Sequence, residues 1–465
     1  MDDDALNVLY DVCATLQYNT ERTDILEKLI KKIILEEPQK IDIKNEIKQI
    51  MLSDKVSLSA ETVFSIQDTI LTLTIPTEDV MDYIAKRYFP YDNIYSKRYG
   101  YGIILVSTTI NAILLNCIEK AKRKRFLAGC YQFKNKEEYA DRSFVELPSK
   151  EYATAWKEII TFDKNELLSL FPEDKIPTEF KDNLDNVIKM FSFTKEDIQN
   201  DLSLRFQETP IFKINENEFV VVAPYYLIRS LPQKHELLLK NCKDYLDIRG
   251  KIFEAMALRL LESLPKSELH KNIPYDKFEV DGILNLENSS WFVECTSHPP
   301  SIKSLLGYAS SIRDDLNKTV EKCQKQATRA IANAQHPNIA KCNPKYKNGI
   351  LIILEGVYPN LNSNNMFQFV PNQDQIPRYA INYFDLQVIL RQPETFLFEE
   401  FLFWRTQKNM PIVCFDEKDY WAYFTKMKTD KTAEETFYIA QQKELKVIYI
   451  SERFNRKDYL NKMIF

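Results

Sequence analysis

Two apolar patterns with different periods follow one another in the middle of the chain. In residues 247–264 (DIRGKIFEAMALRLLESL) apolar side chains recur every three to four positions, which predicts an amphipathic helix. In residues 278–297 (FEVDGILNLENSSWFVECTS) two apolar runs flank a polar turn at residues 287–290. Successive residues of a strand point to opposite faces, and both faces of these two runs carry apolar residues, among them Val280 and Leu284. We therefore expect a β-hairpin that is covered on both faces and lies at the centre of a sheet.

Further apolar runs extend this pattern toward the C-terminus. Residues 311–334 predict a second amphipathic helix, and residues 349–356 (GILIILEG) predict a strand after it. Short runs at residues 410–415 and 445–451 predict two more strands, which we expect to extend the same sheet.

Helical periodicity dominates the N-terminal part of the chain. The apolar helix predicted at residues 103–118 has about 16 residues, whereas a membrane span needs about 20, so we expect a buried core helix. A strand is predicted at residues 218–223. The chain is therefore predicted to be an α/β protein with a helical N-terminal domain (1–140), a mixed α/β connecting region (141–241) and a mixed-sheet domain flanked by helices (242–465).

Acidic residues interrupt these apolar elements at three positions. Asp281 and Glu294 lie one in each run of the hairpin, and Glu254 lies at the edge of the apolar stripe of the preceding helix. If the turn centres near Asn288, Asp281 lies opposite Glu294 or Thr296, and the two carboxylates come within about 5–8 Å of each other. Carboxylates in covered strands are costly unless they are paired or bind a metal, and Mg²⁺ prefers oxygen ligands of this kind.

The order of these acids resembles that of the PD-(D/E)XK nuclease superfamily, whose core runs helix, hairpin, strand, helix, strand. Over residues 245–357, Glu254 resembles the first-helix acid of the family, Asp281 its strand aspartate, and Glu294 the glutamate of its ExK element. The resemblance implies a restriction-endonuclease-like domain in which Asp281 and Glu294 bind Mg²⁺ or Mn²⁺ and Glu254 helps to position metal or water. The chain departs from the family at Thr296, where a lysine normally activates the attacking water or stabilises the phosphate.

The helix predicted at residues 311–334 could supply the missing lysine. Some members of the superfamily take this lysine from elsewhere in the fold, and here Lys322 is the first candidate and Lys318 the second. The same helix carries four further residues that we expect to contact nucleic acid: Lys325, Arg329, Gln324 and Gln326. The two glutamines resemble the one that many family members carry on this helix.

The charge of the chain limits where nucleic acid could bind. A net charge of −5 argues against a broadly basic surface, so any such contact must be local. Residues 86–102 interleave tyrosines with Lys and Arg, which is typical either of a base-stacking surface or of a tyrosine-rich packing or dimer surface. A basic run closes the 103–118 helix and either binds nucleic acid or merely complements the helix dipole. It contains Lys122, Arg123, Lys124 and Arg125.

Composition narrows the remaining chemistry. The chain has no Walker A loop and no GxGxxG, so a phosphate cradle for nucleotide hydrolysis or hydride transfer is absent from the sequence. Its eight cysteines are scattered without a CxxC pair, and we find no signal peptide, which indicates a reducing, cytoplasmic environment. Among only four histidines, His298 follows Glu294 by four residues; it either reaches the metal site or a phosphate, or is a loop histidine.

Together these patterns predict a metal-dependent nuclease that hydrolyses phosphodiester bonds, with DNA preferred over RNA. The resemblance implies a bacterial antiphage-defence or restriction effector whose other domains bind a partner protein or build a homo-oligomer, with no membrane partner. Two alternatives stay open. One is a catalytically inactive nuclease-fold protein that binds nucleic acid or scaffolds a complex; the other is a protein-interacting component in which the three acids are structural.

Overall fold

Over the residues that the structure describes, the chain divides into two compact units, with the boundary between Lys243 and Asp244. A computed structural model describes residues 1–18, 23–38, 41–43, 45–46, 49, 77–123, 150–172, 176–202, 204–240, 242–305, 309–342, 347–356, 358, 361–362, 376–391, 397–407 and 417–442. The predicted boundary near residue 140 and the strands predicted at residues 410–415 and 445–451 lie outside these ranges.

Helices make up most of the first unit, as the N-terminal periodicity predicts. They are α1 (Asp3–Tyr18), α2 (Thr23–Glu36), α3 (Thr77–Arg87), α4 (Asp92–Tyr99), α5 (Ile103–Arg123), α6 (Lys150–Ile160), α7 (Lys164–Leu168), α8 (Thr178–Met190), α9 (Lys195–Asn200) and α10 (Pro224–Leu239). A four-stranded sheet of order β1-β4-β3-β2 accompanies them. Its strands are β1 (Thr161–Asp163), β2 (Ser192–Phe193), β3 (Ile211–Lys213) and β4 (Glu218–Val221). The last of these confirms the strand predicted at residues 218–223.

Helix α5 forms the centre of the helical part. It packs against α6, α8 and α10, and its buried residues include Val106, Ile110 and Ile113. By length and composition it is the one helix among those described that could cross a membrane, but half of its most apolar stretch is buried within the structure. The packing of α5 agrees with the core helix predicted at residues 103–118. One helix of this length and composition is only weak evidence for a membrane span.

The tyrosine-rich segment at residues 86–102 packs inward. Tyr88, Tyr91, Tyr95 and Tyr101 are all buried. The Tyr99 hydroxyl donates a hydrogen bond to the backbone carbonyl of residue 238, at 2.8 Å. Of the two interpretations of this segment, the structure supports packing within the first unit rather than a base-stacking surface.

The second unit is built on a five-stranded mixed sheet of order β5-β6-β7-β8-β9. Its strands are β5 (Glu268–Tyr275), β6 (Phe278–Asn285), β7 (Ser290–Thr296), β8 (Asn348–Leu354) and β9 (Arg378–Asn382). The β5–β6 and β6–β7 pairs are antiparallel, and the β7–β8 and β8–β9 pairs are parallel. The acid-bearing strands β6 and β7 are therefore central, as their apolar faces predict.

Helices flank this sheet. They are α11 (Lys243–Leu261), α12 (Ile302–Leu305), α13 (Ala309–Leu316), α14 (Lys322–Ala332), α15 (Pro337–Cys342), α16 (Tyr383–Leu390), α17 (Phe398–Arg405), α18 (Glu417–Met427) and α19 (Lys431–Gln442). Helices α13 and α14 are joined by a π-helical segment, Asn317–Glu321, so the helix predicted at residues 311–334 is continuous but bulged. Its apolar stripe, including Ile312, Val320 and Ala327, packs with Phe292 and Ile350 of the sheet.

Candidate metal centre

Three carboxylates from one helix and one strand converge in the second unit. Glu254 comes from α11, and Glu279 and Asp281 come from β6. One oxygen of each lies within 4.8 Å of the others. Among the described residues, this is the group of acidic, histidine or cysteine side chains close enough to hold a metal ion. It contains two of the predicted acids, Glu254 and Asp281, and adds Glu279, which was not predicted although it lies two positions before Asp281 on the same strand.

The β5–β6 ladder is interrupted where Asp281 lies. Pairing runs from Glu268 to Lys271 and resumes at Ile273, which leaves the pair of Asn272 and Asp281 out of the ladder. Asn272 has φ of 51°, a left-handed conformation that asparagine tolerates better than most residues. The register is the same on both sides of this gap, so neither strand contains an extra residue. Val280 and Ile283 both belong to the hydrophobic core cluster of this sheet.

Glu294 extends the centre from β7 and is the most deeply buried of its acids. The pairing of Gly282 with Val293, continued by one residue, places Glu294 level with Asp281. The side chain is 2% exposed, and its Oε1 is buried without a hydrogen-bond partner among the described residues. An unpartnered buried carboxylate oxygen is costly, so this position indicates a missing positive partner.

The hydrogen bonding and charges of the centre are unevenly distributed. The backbone N–H of Cys295 donates a hydrogen bond to Asp281 Oδ2 at 2.7 Å. Burial raises the pKa of Asp281 to about 6, although this hydrogen bond opposes the shift. Burial, then the charges of Asp281 and Glu279, raises the pKa of Glu254 to about 7. Burial, then repulsion by Asp281 and Glu254, raises the pKa of Glu294 to about 9. Without a cation, these carboxylates therefore disfavour each other's ionised forms.

The two candidate lysines differ in their relation to the acids. Lys322, the first residue of α14, is exposed, and its positive charge opposes the rise of the pKa of both Asp281 and Glu294. Lys318 lies in the π-helical segment, is exposed, and is not among the charges that shift the pKa of these acids. Of the two candidate lysines, Lys322 is therefore the one whose charge acts on these acids.

Comparison of the chain with protein-family models, with curated proteins and with solved structures found no match.

The other residues predicted on the 311–334 helix lie in different surroundings. Gln324 is buried and accepts a hydrogen bond from Arg378 of β9, so it is not at the surface. Arg329 is exposed with its guanidinium 4.1 Å from the ring of Phe278. Lys325 is exposed and forms a 2.6 Å ion pair with Glu321 one turn earlier. Gln326 is half-buried.

The predicted basic run of the first unit is described only in part. Lys122 is exposed and forms a 2.9 Å ion pair with Glu119, and Arg123 is exposed at the last position of α5. Lys124 and Arg125 lie outside the described residues. Cations in the last turn of a helix complement its dipole. The positions of Lys122 and Arg123 fit this interpretation of the run without requiring nucleic acid.

Proposed function

We propose that the second unit is a metal-dependent nuclease that hydrolyses phosphodiester bonds of nucleic acid, with DNA preferred over RNA. The observation that carries the proposal is the convergence of Glu254, Glu279 and Asp281 beside Glu294, whose buried Oε1 has no hydrogen-bond partner among the described residues. A divalent cation would give this oxygen and the repelling carboxylates a common positive partner.

The donor set fits a hard cation. All four side chains offer carboxylate oxygens, which suit Mg²⁺ or Mn²⁺, whereas zinc sites favour histidine and cysteine. When bound, such a cation supplies Lewis-acid polarisation of a phosphoryl oxygen and lowers the pKa of bound water.

The chain's own groups supply the remaining steps of hydrolysis. A bond forms between the water oxygen and phosphorus as the bond from phosphorus to the leaving oxygen breaks. Glu254, which is only half-buried, positions the water and takes its proton on a carboxylate oxygen, and the leaving oxygen takes a proton from solvent. The Lys322 ammonium stabilises the added negative charge on the phosphate, which Thr296 cannot do.

The order of elements supports the proposal. The second unit runs helix, hairpin, strand, helix, strand through α11, β5–β6, β7, α13–α14 and β8, which is the order that the resemblance to PD-(D/E)XK nucleases implies. In this proposal the protein is a cytoplasmic restriction or defence effector, and its first unit recognises a partner or builds an oligomer.

The test combines cleavage and metal binding in the full-length protein. Supercoiled plasmid and single-stranded DNA are incubated with Mg²⁺ or Mn²⁺, with EDTA as the reference. We expect Asp281→Asn and Glu279→Gln each to lower the cleavage rate by roughly 100-fold or more, about 2.7 kcal/mol of barrier. The rise in melting temperature that Mn²⁺ produces in the unaltered protein should be lost in both variants, because ligand binding to the native state stabilises it.

Glu268→Gln provides the matched control, because Glu268 is an exposed strand glutamate on β5 that is outside the acidic group. The proposal fails if no metal supports cleavage, or if both site variants keep the activity of this control.

One observation favours a second candidate function, a nuclease-fold protein that binds nucleic acid without cutting it. Thr296, at the position of the usual lysine, is half-buried at the end of β7 and carries no charge. This candidate requires that the unaltered protein binds DNA with an affinity that falls as salt rises, with a slope that corresponds to several phosphate contacts. It also requires that the DNA stays uncut with every metal tested.

A further inference from the structure

A second polar cluster lies beyond the end of β7, separate from the four acids. Its centre is Asp315 of α13, which is buried at 3% exposure. Asp315 Oδ2 accepts hydrogen bonds from the backbone N–H of Ser301, at 2.7 Å, and from the hydroxyl of Ser304. The other oxygen, Oδ1, lies 3.5 Å from Nε2 of His298.

Asp315 is held in its charged form mainly by hydrogen bonds, with a smaller contribution from His298. Burial raises the pKa of Asp315, but hydrogen bonds from Ser304 and Ser301 outweigh that effect and hold the pKa below its ordinary value. The carboxylate is thus ionised and already hydrogen-bonded. His298 is nevertheless held beside it with its side chain 39% exposed, while its backbone carbonyl accepts a 3.1 Å hydrogen bond from the Tyr358 hydroxyl. The imidazole is oriented but remains open to solvent.

A strand end and a helix connect this cluster to the acidic centre. At one end the charge of Lys322 lowers the pKa of Asp281 and Glu294, and at the other end Asp315 lies 3.5 Å from His298. On the helix, Asp315 and Lys322 are seven residues apart, which corresponds to about 10 Å at 1.5 Å per residue. On the strand side, Glu294 and His298 are four residues apart, which corresponds to at most about 13 Å.

Thr296 lies between Glu294 and His298 in the sequence, and the exposed Lys318 lies between Asp315 and Lys322. The acids thus lie toward one end of these two elements and the imidazole of His298 toward the other.

We propose that His298, oriented by Asp315, binds a phosphate of the nucleic-acid strand one or two nucleotides from the one that is cleaved. Adjacent phosphates of one strand lie farther apart than the axial rise of about 3.4 Å per nucleotide, so a separation of about 10 Å corresponds to roughly one or two nucleotides. A phosphate opposite Asp315 places the ring between two anions, which favours an imidazolium that donates one N–H to each. The proposal rests on the proposed function, because it places this phosphate relative to the acidic centre.

The first arm of the test measures binding, and it does not require cleavage. A fluorescent single-stranded DNA oligonucleotide is titrated with the full-length protein in Ca²⁺ at several salt concentrations. We expect His298→Gln to weaken binding roughly tenfold, as loss of a hydrogen bond to a charged group does, and to reduce the salt slope by about 0.7. Asp315→Asn should weaken binding less, because it misorients the ring without removing it. His270→Gln, a half-buried histidine of β5, is the control and should bind as the unaltered protein does.

The second arm fixes the position of the phosphate. Oligonucleotides with a single neutral methylphosphonate at successive positions are cleaved in Mg²⁺, and the rate is read bond by bond. The unaltered protein and His270→Gln should lose roughly tenfold in rate when the neutral position is one or two nucleotides from the cleaved bond. In His298→Gln, a neutral methylphosphonate at that position should not lower the cleavage rate further, because the contact is already absent. If His298 had a merely structural role, the variant would show the same dependence on methylphosphonate position as the unaltered protein.

The outcomes separate the two proposals. If His298→Gln binds with the affinity and salt slope of His270→Gln, or keeps the same methylphosphonate profile, the phosphate subsite is overturned. If the binding effects appear but no metal supports cleavage, the subsite stands and the hydrolytic function fails. A protein that binds no oligonucleotide at low salt overturns the subsite as well.

Discussion

Glu294 is the residue whose environment is most costly to the fold. A carboxylate at 2% exposure with an oxygen that lacks a partner among the described residues destabilises the native state, and Asp281 and Glu254 add repulsion. The same features make it useful as a ligand. Natural sites often retain such destabilising groups where function requires them.

We therefore predict that Glu294→Gln stabilises the metal-free protein. A neutral amide of nearly the same shape avoids the desolvation and repulsion of the carboxylate, so the free energy of unfolding in EDTA should rise by about 1–3 kcal/mol. Urea denaturation checks this, and the added stability from Mn²⁺ should disappear. Glu268→Gln should change neither quantity by more than about 0.5 kcal/mol. A variant less stable than the unaltered protein would show that Glu294 has a stabilising partner.

Sequence pattern identified some of these residues and not others for a physical reason. Asp281 and Glu294 are conspicuous because they are charges inside apolar runs. Glu279 is exposed at the end of a run, where glutamate is ordinary, and it joins the centre because residues two positions apart on a strand share a face. Asp315 is equally hard to recognise, since its partners Ser301 and Ser304 come from the preceding turn and helix.

At the scale of elements, two glycines of the second unit have opposite requirements. Gly349 of β8 pairs with Trp291 of β7, and a Cβ added there would lie 2.6 Å from the fully buried indole ring. Gly250 of α11 is exposed, and an added Cβ would meet nothing closer than the Ser297 hydroxyl at 4.0 Å. The strand thus needs its glycine for close packing, whereas the helix has space for a methyl group.

Gly349→Ala should therefore destabilise the protein by about 1–3 kcal/mol, because the indole cannot move without disturbing the core. Gly250→Ala should instead stabilise it by about 0.5–1 kcal/mol, since alanine is the better helix former. Thermal or urea denaturation of the two variants side by side tests this. Equal effects of the same sign would contradict the difference in packing between the two positions.

The elements that the sequence pattern missed share weak periodicity. Strand β5 (ELHKNIPY) is largely polar, contains Pro274 and lies at the edge of the sheet with most of its residues accessible, so it lacks the alternation that marks β6. Strand β9 is short, at five residues, and fully buried, so it has no alternation to detect. The π-helical segment is invisible for another reason, since the core stripe of the helix continues through it.

At the scale of the whole molecule, the predicted α/β architecture is observed in both units. The helical N-terminal region and the five-stranded mixed sheet flanked by helices were predictable because each buries long periodic apolar runs. The small sheet of the first unit was predictable only at β4, since its other strands have two or three residues each. Sequence period is a strong signal only where an element is long enough to repeat it.

The first unit also contains a group that should govern its stability at acidic pH. His235 of α10 is fully buried, with Nε2 3.5 Å from the Ser107 hydroxyl of α5 and its ring against Tyr88 and Tyr95. Its Nδ1 is buried without a hydrogen-bond partner among the described residues. Burial lowers the pKa of His235 from 6.5 to about 3, because the imidazolium would lose its hydration.

The sign of the resulting pH dependence follows from proton uptake. Between pH 6.5 and about 3 the unfolded chain binds a proton at His235 that the native state does not, so this residue makes the first unit less stable as pH falls. The slope should approach about 1.4 kcal/mol per pH unit within that window and vanish above it. Hydrogen exchange of peptides from α5 and α10 between pH 7.5 and 4.5, corrected for the intrinsic exchange rate, measures the effect. His235→Leu should flatten the dependence, because the variant has no imidazole to protonate at this position. An unchanged slope in His235→Leu would assign the acid sensitivity to other groups.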